Sequence, residues 1–81
     1  MDFQLYTEVV LQADVPEENL RAGDIGTVVD RHTVAGLEPG YSIEFFDMLG
    51  QTVALATLPG SLLRVPTHSD RPTVRSSALS A

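Results

Sequence analysis

The chain has 81 residues, a length that restricts it to a single domain and excludes dinucleotide-binding and barrel-enzyme architectures. Hydrophobic residues make up 43% and charged residues 20%, which is typical of a folded globular protein, and the absence of cysteine excludes disulfides and thiolate metal ligands. Five basic against 11 acidic residues give a net charge of −6, which disfavours direct binding of nucleic acid. No stretch approaches the roughly 20 apolar residues of a membrane span, and the N-terminus does not resemble a signal peptide, so we expect a cytoplasmic protein.

Composition divides the chain into two parts. Residues 1–66 hold every aromatic residue and nearly all the large apolar ones, so they are predicted to form the domain. Residues 67–81 are mostly small and polar, and we expect them to form a flexible C-terminal tail. The predicted domain contains ten acidic and three basic residues, whereas the tail contains one acidic and two basic residues. The weakly basic tail could therefore fold back on the acidic domain, although exposed contacts of this kind contribute little at physiological salt.

The first predicted elements are a strand and a short helix. Residues 6–13 are rich in β-branched and apolar side chains and predict the first strand. Its two predicted faces are Thr7, Val9 and Leu11 on one side and Tyr6, Glu8, Val10 and Gln12 on the other. Residues 14–24 predict a helix of one or two turns, which begins at Pro16 and ends at Gly23. Val15 or Leu20 is expected to anchor this helix to the core.

Four further strands follow, separated by turns. Residues 25–31 predict the second strand, and residues 32–40 form a loop. Residues 41–45 alternate apolar and polar side chains, which is typical of a half-buried strand, and Phe46 breaks the alternation in a way that indicates a bulge. Residues 47–50 form a turn in which Gly50 would take a positive φ, and residues 51–57 return as the fourth strand. A second turn at 58–61 leads to a short closing strand at 62–65, which Pro66 ends.

This pattern predicts an all-β fold. Five short strands in fewer than 70 residues must protect their edges, and a small five-stranded SH3-like antiparallel barrel with one short helical turn does so. The five-stranded OB fold is the nearest rival. It usually has a helix between its third and fourth strands, and residues 47–50 leave no room for one.

An ordered set of segments resembles a known family. The segments are Val9-Val10-Leu11, Val15-Pro16-Glu17-Glu18, Gly23-Asp24-Ile25-Gly26-Thr27-Val28-Val29, Tyr41-Ser42-Ile43-Glu44-Phe45 and Thr57-Leu58. They resemble the small bacterial family known as domain of unknown function 4926, over residues 5–65. The resemblance implies a compact SH3-like fold and no known activity. Proteins of this family look like small accessory or neutralising partners of other proteins, and the resemblance implies the same role here.

Two features could bind ions, and each has a simpler explanation. The turn from Gly23 to Gly26 could cradle a phosphate, but neighbouring acids would repel an anion, and the glycines are better explained by a tight entry into a strand in which Asp24 bonds the turn. The four acids of the predicted helix region could bind Ca²⁺ or Mg²⁺, but their spacing does not match an EF-hand; they are Asp14, Glu17, Glu18 and Asp24. A solvated acidic surface is the better explanation, so no metal and no cofactor is predicted.

The sequence offers little for catalysis. His32, Asp30 and one of several Ser or Thr residues could be written as a triad, but no Gly-x-Ser-x-Gly turn accompanies them. The domain is also too small to shield a pair of carboxylates in a cleft. We therefore predict that the protein is not an enzyme and assign no catalytic residue.

The aromatic strand and the following turn suggest a partner surface. Tyr41 and Phe45 are better explained as core residues than as a platform for bases. If Phe45 points inward, Phe46 points outward and joins Met48 and Leu49 in an exposed apolar patch; alternatively, a bulge turns Phe46 inside. The candidate partner surface comprises Phe46, Met48, Leu49, Glu17 and Glu18.

The leading functional hypothesis is a non-enzymatic protein-interaction module. Its acidic surface would meet another bacterial protein with a basic surface, as an accessory or neutralising (antitoxin-like or immunity-like) partner. One alternative is a KOW-like module of a nucleic-acid-associated complex, suggested by residues 23–29. A further alternative is an accessory subunit resembling the SH3-like part of nitrile hydratase.

Overall fold

The computed structural model describes residues 2–71, which form five antiparallel strands in a curled half-barrel. The strands are β1 (Glu8–Leu11), β2 (Ile25–His32), β3 (Gly40–Phe46), β4 (Thr52–Pro59) and β5 (Leu63–Arg64). They form one sheet in the order β4-β3-β2-β1-β5, so β4 and β5 are its two edges. The predicted all-β class with five antiparallel strands is therefore confirmed.

Helical structure is confined, within residues 2–71, to two 3₁₀ turns at Pro16–Glu18 and Gly60–Leu62. The first turn begins at Pro16 as predicted, but it ends at Asn19, which adopts a left-handed conformation with φ 57°. The predicted end at Gly23 was wrong, because the side chain of Asn19 tolerates this conformation and stops the turn four residues earlier. Both predicted anchors, Val15 and Leu20, are buried and bridge to each other. No helix in this described part of the chain is long and apolar enough to cross a membrane.

The core lies on the inner face of the curled sheet. In β3 the buried side chains alternate as predicted, and in β2 the inward positions are Gly26 and Val28. Gly26 is required by close approach, because an added Cβ would lie 2.5 Å from Ile43 Cγ2. The buried cluster also contains residues of the N-terminal segment, of β1, of the loop between β1 and β2, of β4 and of β5. Its members are Phe3, Val9, Leu11, Val15, Leu20, Val28, Tyr41, Ile43, Phe45, Ala56, Leu58 and Leu63.

The N-terminal segment is attached to the barrel through Tyr41. The Phe3 N–H donates to the Tyr41 hydroxyl at 3.1 Å, and the two rings meet edge to face with centroids 5.3 Å apart. Arg31 adds an ion pair with Asp2 at 3.0 Å. The segment then reaches β1 through Tyr6, which has φ 64° and a mostly exposed ring. The predicted start of the first strand at residue 6 was therefore two residues too early.

Two bulges adjust the registers of β2, β3 and β4. Between the pairs Val28↔Ile43 and Asp30↔Ser42, β2 contains one extra residue. Between the pairs Phe45↔Ala54 and Phe46↔Thr52, the extra residue is Val53 on β4. The predicted bulge near Phe46 is thus present, but β4 rather than β3 absorbs it. Phe46 therefore continues the alternation of β3 and points away from the buried Phe45.

Residues 65–71 turn back after β5 and are held by an ion pair. Both guanidinium nitrogens of Arg64 donate to the Asp70 carboxylate, at 2.9 and 2.7 Å. The Thr67 N–H also donates to Asp70, at 2.6 Å. The start of the predicted tail is therefore bound to β5 through Asp70. Here an acidic residue of the tail pairs with a basic residue of the domain, whereas the composition suggested that basic residues of the tail would pair with an acidic domain. The rest of the predicted tail, residues 72–81, lies outside the described residues.

One residue on the outer face of the sheet is unexpectedly buried. The predicted first strand placed Val10 on its polar side, yet Val10 is only 1% exposed and does not belong to the main core cluster. Its cross-strand partners are Ile25 and Arg64. On this outer face, Pro66 and Thr67 of the segment after β5 line one groove together with Ile25, the cross-strand neighbour of Val10.

Candidate functional site

The most exposed apolar surface surrounds the hairpin that joins β3 and β4. Of the ten large hydrophobic residues that are exposed within residues 2–71, five lie on this hairpin. We call them the hairpin patch; they are Phe46, Met48, Leu49, Val53 and Leu55. Leu49 is 85% exposed and Met48 is 74% exposed. Apolar side chains concentrated in this way are a common feature of protein-binding surfaces.

The turn of this hairpin is fixed by its own hydrogen bonds. The Asp47 carboxylate accepts the N–H groups of Leu49 and Gln51, each at 2.9 Å. The Gly50 N–H donates to the Asp47 carbonyl at 3.0 Å, and Gly50 has the positive φ, 82°, that the sequence predicted. Met48 and Leu49 therefore project from an ordered turn, and a partner would not have to order this backbone on binding.

The structure decides between the two positions considered for Phe46. Because Val53 absorbs the bulge, Phe46 keeps its outward position, and the residue is 43% exposed. Phe46, Met48 and Leu49 are thus adjacent along one exposed hairpin, as the sequence-based surface required. Val53 and Leu55 belong to the same surface but were not predicted, because from sequence they fell in a strand whose outward face could not be identified.

The two predicted acidic members of the surface lie at the same end of the sheet as the hairpin. Glu17 and Glu18 are exposed on the first 3₁₀ turn, which follows the end of β1. The registers Val10↔Ile25 and Gly26↔Phe45 place the end of β1 beside the start of β2, and the start of β2 beside the end of β3. The acids and the hairpin patch therefore share one end of the sheet, with β2 between them.

A groove runs along the outer face beside Phe46. It has a volume of about 400 Å³ and is lined by Glu8, Ile25, Gly26, Thr27, Phe46, Pro66, Thr67 and Asp70. Strands β1, β2 and β3 each contribute to it, and the segment held by the ion pair between Arg64 and Asp70 forms one wall. We call it the outer groove. This groove could not be predicted from the sequence, because the wall is brought to β2 only by the fold.

The charge of that wall is fixed by the same ion pair. Hydrogen bonds from Arg64 and from the Thr67 backbone hold the pKa of Asp70 well below its usual range. The pKa of Arg64 is raised in turn, chiefly through its hydrogen bond to Asp70. Asp70 therefore stays ionised at any physiological pH, and its carboxylate is already occupied by partners inside the protein.

The glycine turn that could have held a phosphate is bonded internally. The Gly23 N–H donates to the Leu11 carbonyl at 2.7 Å, and the Arg21 N–H donates to the Asp24 carboxylate at 2.9 Å. Asp14 accepts the Ala22 N–H at 2.9 Å. Asp14 and Asp24 therefore hold this loop together. No group of three or more His, Asp or Glu side chains within residues 2–71 is arranged to hold a metal ion.

A small polar network surrounds His32. Its Nε2 lies 2.9 Å from Ser42 Oγ, which lies 3.1 Å from Thr57 Oγ1. The Asp30 carboxylate approaches the same Nε2 at 4.0 Å. A catalytic triad needs the acid on the opposite ring nitrogen, so that the imidazole can take a proton from the serine. This network lacks that arrangement, and the absence of enzymatic activity in the whole protein stays a prediction.

Comparisons with known proteins support the resemblance described above. No curated protein and no solved structure matches the chain at a significant level. A family model described as Domain of unknown function (DUF4926) matches residues 5–65, a range that contains all five strands and both 3₁₀ turns. This match covers most of the chain, and the chain therefore belongs to the DUF4926 family.

Proposed function

We propose that the protein is a non-enzymatic interaction module that binds a partner protein through the hairpin patch. The observation that carries the proposal is the concentration of half of the exposed large apolar residues of residues 2–71 on one hairpin at the edge of the sheet. Burying such side chains in an interface removes apolar surface from water, which is the main favourable contribution to most protein associations. The ordered turn limits the entropic cost of binding.

The edge position adds a second means of binding. Strand β4 has eight residues, Thr52–Pro59, and none of them is charged. An edge strand presents backbone N–H and C=O groups to which a partner strand can bind, and charged side chains commonly prevent this pairing. Since charge does not protect β4, a partner can combine backbone pairing along this edge with apolar contacts to Val53 and Leu55.

Charge supports a basic partner. The chain carries a net charge of −6, and Glu17 and Glu18 are exposed at the same end of the sheet as the hairpin patch. The negative electrostatic field of an acidic surface accelerates the encounter with a basic protein, and the acceleration is strongest at low salt. In our proposal the protein is an accessory or neutralising partner in the bacterial cytoplasm, and its cysteine-free composition suits that compartment.

The experiment is capture of partners from the native cells with three tagged full-length forms. The wild type is compared with Leu49→Ser and with Leu37→Ser, which changes a residue of similar exposure in the loop between β2 and β3. We expect a stoichiometric protein to bind the wild type and Leu37→Ser and to be lost from Leu49→Ser. Circular dichroism serves as the control that all three forms are folded. A partner retained by Leu49→Ser, or lost equally from both variants, contradicts the proposal.

A further inference from the structure

The outer groove has the chemistry of a site for a basic side chain. We propose that it binds an arginine or lysine side chain of the partner protein, an inference that rests on the proposed function and specifies the chemistry of the partner at one point of contact. The groove adjoins the hairpin patch through Phe46, which belongs to both. A partner seated on the patch therefore extends naturally into the groove.

The strand registers set the shape of the site. Strand β2 forms the floor of the groove. Its residues Ile25 and Thr27, on either side of Gly26 along the strand, lie on the outer face of the sheet. Glu8 pairs with Thr27 across β1 and β2, and Phe45 pairs with Gly26 across β2 and β3. Glu8 and Phe46 are therefore on opposite sides of the same floor.

The two sides complement the two parts of a basic side chain. Ile25, Phe46 and Pro66 offer apolar surface for the methylene stem. The Glu8 side chain is exposed and makes no hydrogen bond or ion pair within residues 2–71, so its carboxylate can receive the cationic group.

The remaining wall is already formed and leaves Glu8 as the carboxylate available to a ligand. Asp70 is occupied by Arg64 and by the Thr67 N–H, which fixes the wall before any ligand arrives. Among residues 2–71, no basic residue lines the groove, and the chain as a whole is acidic. A cationic group is therefore complementary to the site in both local and overall charge.

The test is titration of the full-length ¹⁵N-labelled protein with the blocked peptide acetyl-Gly-Arg-Gly-amide, followed by NMR. A lysine peptide is titrated in the same way, and the matching glutamine peptide serves as the uncharged control. Three proteins are compared: the wild type, Glu8→Gln and Glu38→Gln, the last changing an exposed residue of the loop between β2 and β3. The two variants remove one exposed carboxylate each and change the net charge equally, so they separate binding in the groove from attraction to the acidic surface as a whole.

We expect saturable shifts of the amides of Gly26, Thr27 and Phe46, with a Kd of the order of 1 mM for a single side chain. Glu8→Gln should raise this Kd about threefold to fivefold, as loss of one partly exposed ion pair does, and Glu38→Gln should leave it nearly unchanged. Equal weakening by both variants, or shifts spread over the acidic surface, would overturn the proposal.

Two other occupants would also be revealed. Concentration-dependent shifts of the same amides without peptide would assign the groove to a second copy of the chain. Shifts caused by Arg75→Gln alone would assign it to the chain's own C-terminal residues, and either result would overturn our proposal. Neither result affects the loss of a partner from Leu49→Ser, so failure of this site and failure of the proposed function remain distinguishable.

Discussion

Replacing Gly26 with alanine provides a direct test of how the sheet is packed. An added Cβ would lie 2.5 Å from Ile43 Cγ2, 2.9 Å from Phe45 Cδ2 and 3.0 Å from the Glu44 carbonyl oxygen. Carbon atoms in ordinary contact are about 3.5–4.0 Å apart, so the Ile43 methyl group would have to move by roughly 1 Å. Ile43 is completely buried and cannot swing into solvent.

The expected loss of stability follows from two opposing effects. Overpacking of a well-packed core costs about 1–3 kcal/mol. Alanine also restricts the unfolded chain relative to glycine, which stabilises the folded state by about 0.4–1 kcal/mol. Since three neighbours of Gly26 are too close, we expect Gly26→Ala to lower the free energy of unfolding by about 1–2 kcal/mol, which for a domain of this size lowers the Tm by roughly 5–15 °C.

The control is Gly40→Ala, and the assay is thermal and urea unfolding followed by circular dichroism. Gly40 also lies in a strand, but an added Cβ there would have no neighbour closer than 3.8 Å. This variant should be as stable as the wild type or up to about 1 kcal/mol more stable, because only the effect on the unfolded chain remains. If Gly26→Ala were as stable as Gly40→Ala, β2 and β3 would not pack as closely as described.

Three further substitutions test other contacts of the fold. Tyr41→Phe removes the acceptor of the Phe3 N–H and should lower the free energy of unfolding, measured in urea, by about 0.5–1.5 kcal/mol. The Phe3 amide should also exchange faster, and unchanged exchange would argue against the attachment of the N-terminal segment. Val10→Ala removes two buried methyl groups on the outer face and should cost about 1–3 kcal/mol, whereas a fully exposed Val10 would give almost no effect. Asp70→Asn should expose the bond after Arg64 to trypsin, as monitored by mass spectrometry. Because the folded pKa of Asp70 is lowered, the stability that this carboxylate contributes is complete above about pH 5 and declines as the pH falls from about 3.9 toward the lowered folded pKa, so the difference between wild type and Asp70→Asn should narrow steadily on acidification. A difference that grew on acidification would contradict this assignment.

The local sequence pattern predicted the structure reliably where one face of a strand is buried and the other is exposed to solvent. The alternation around Tyr41, Ile43 and Phe45 predicted β3 because a side-chain period of two is imposed by the pleat itself. Gly50 marked the turn between β3 and β4, since its positive φ strongly favours glycine. The hairpin patch was partly predictable for the same reason, because Phe46 follows an inward Phe45 and precedes a turn.

Local pattern failed where contacts distant in sequence decide the outcome. In β1, Val9, Val10 and Leu11 are all buried, although alternation predicts that Val10 faces solvent. The inner core accounts for Val9 and Leu11, whereas Val10 is buried on the outer face, where Pro66 and Thr67 line a groove together with its cross-strand neighbour Ile25. Likewise, the sequence around Phe46 indicated a bulge but not which strand would absorb it, because that depends on the register between β3 and β4.

The sequence by itself determined the all-β class, the five strands in their order, the main turns and the acidic charge of this protein. These properties depend on side-chain periodicity, on glycine and proline positions and on composition, all of which act over a few neighbouring residues. Only the tertiary structure decided that Phe46 is exposed, that Val10 is covered and that Glu8, Phe46 and Pro66 surround one groove. Each of these depends on which strands become neighbours when the sheet curls, and the ion pair between Arg64 and Asp70 then fixes the last wall.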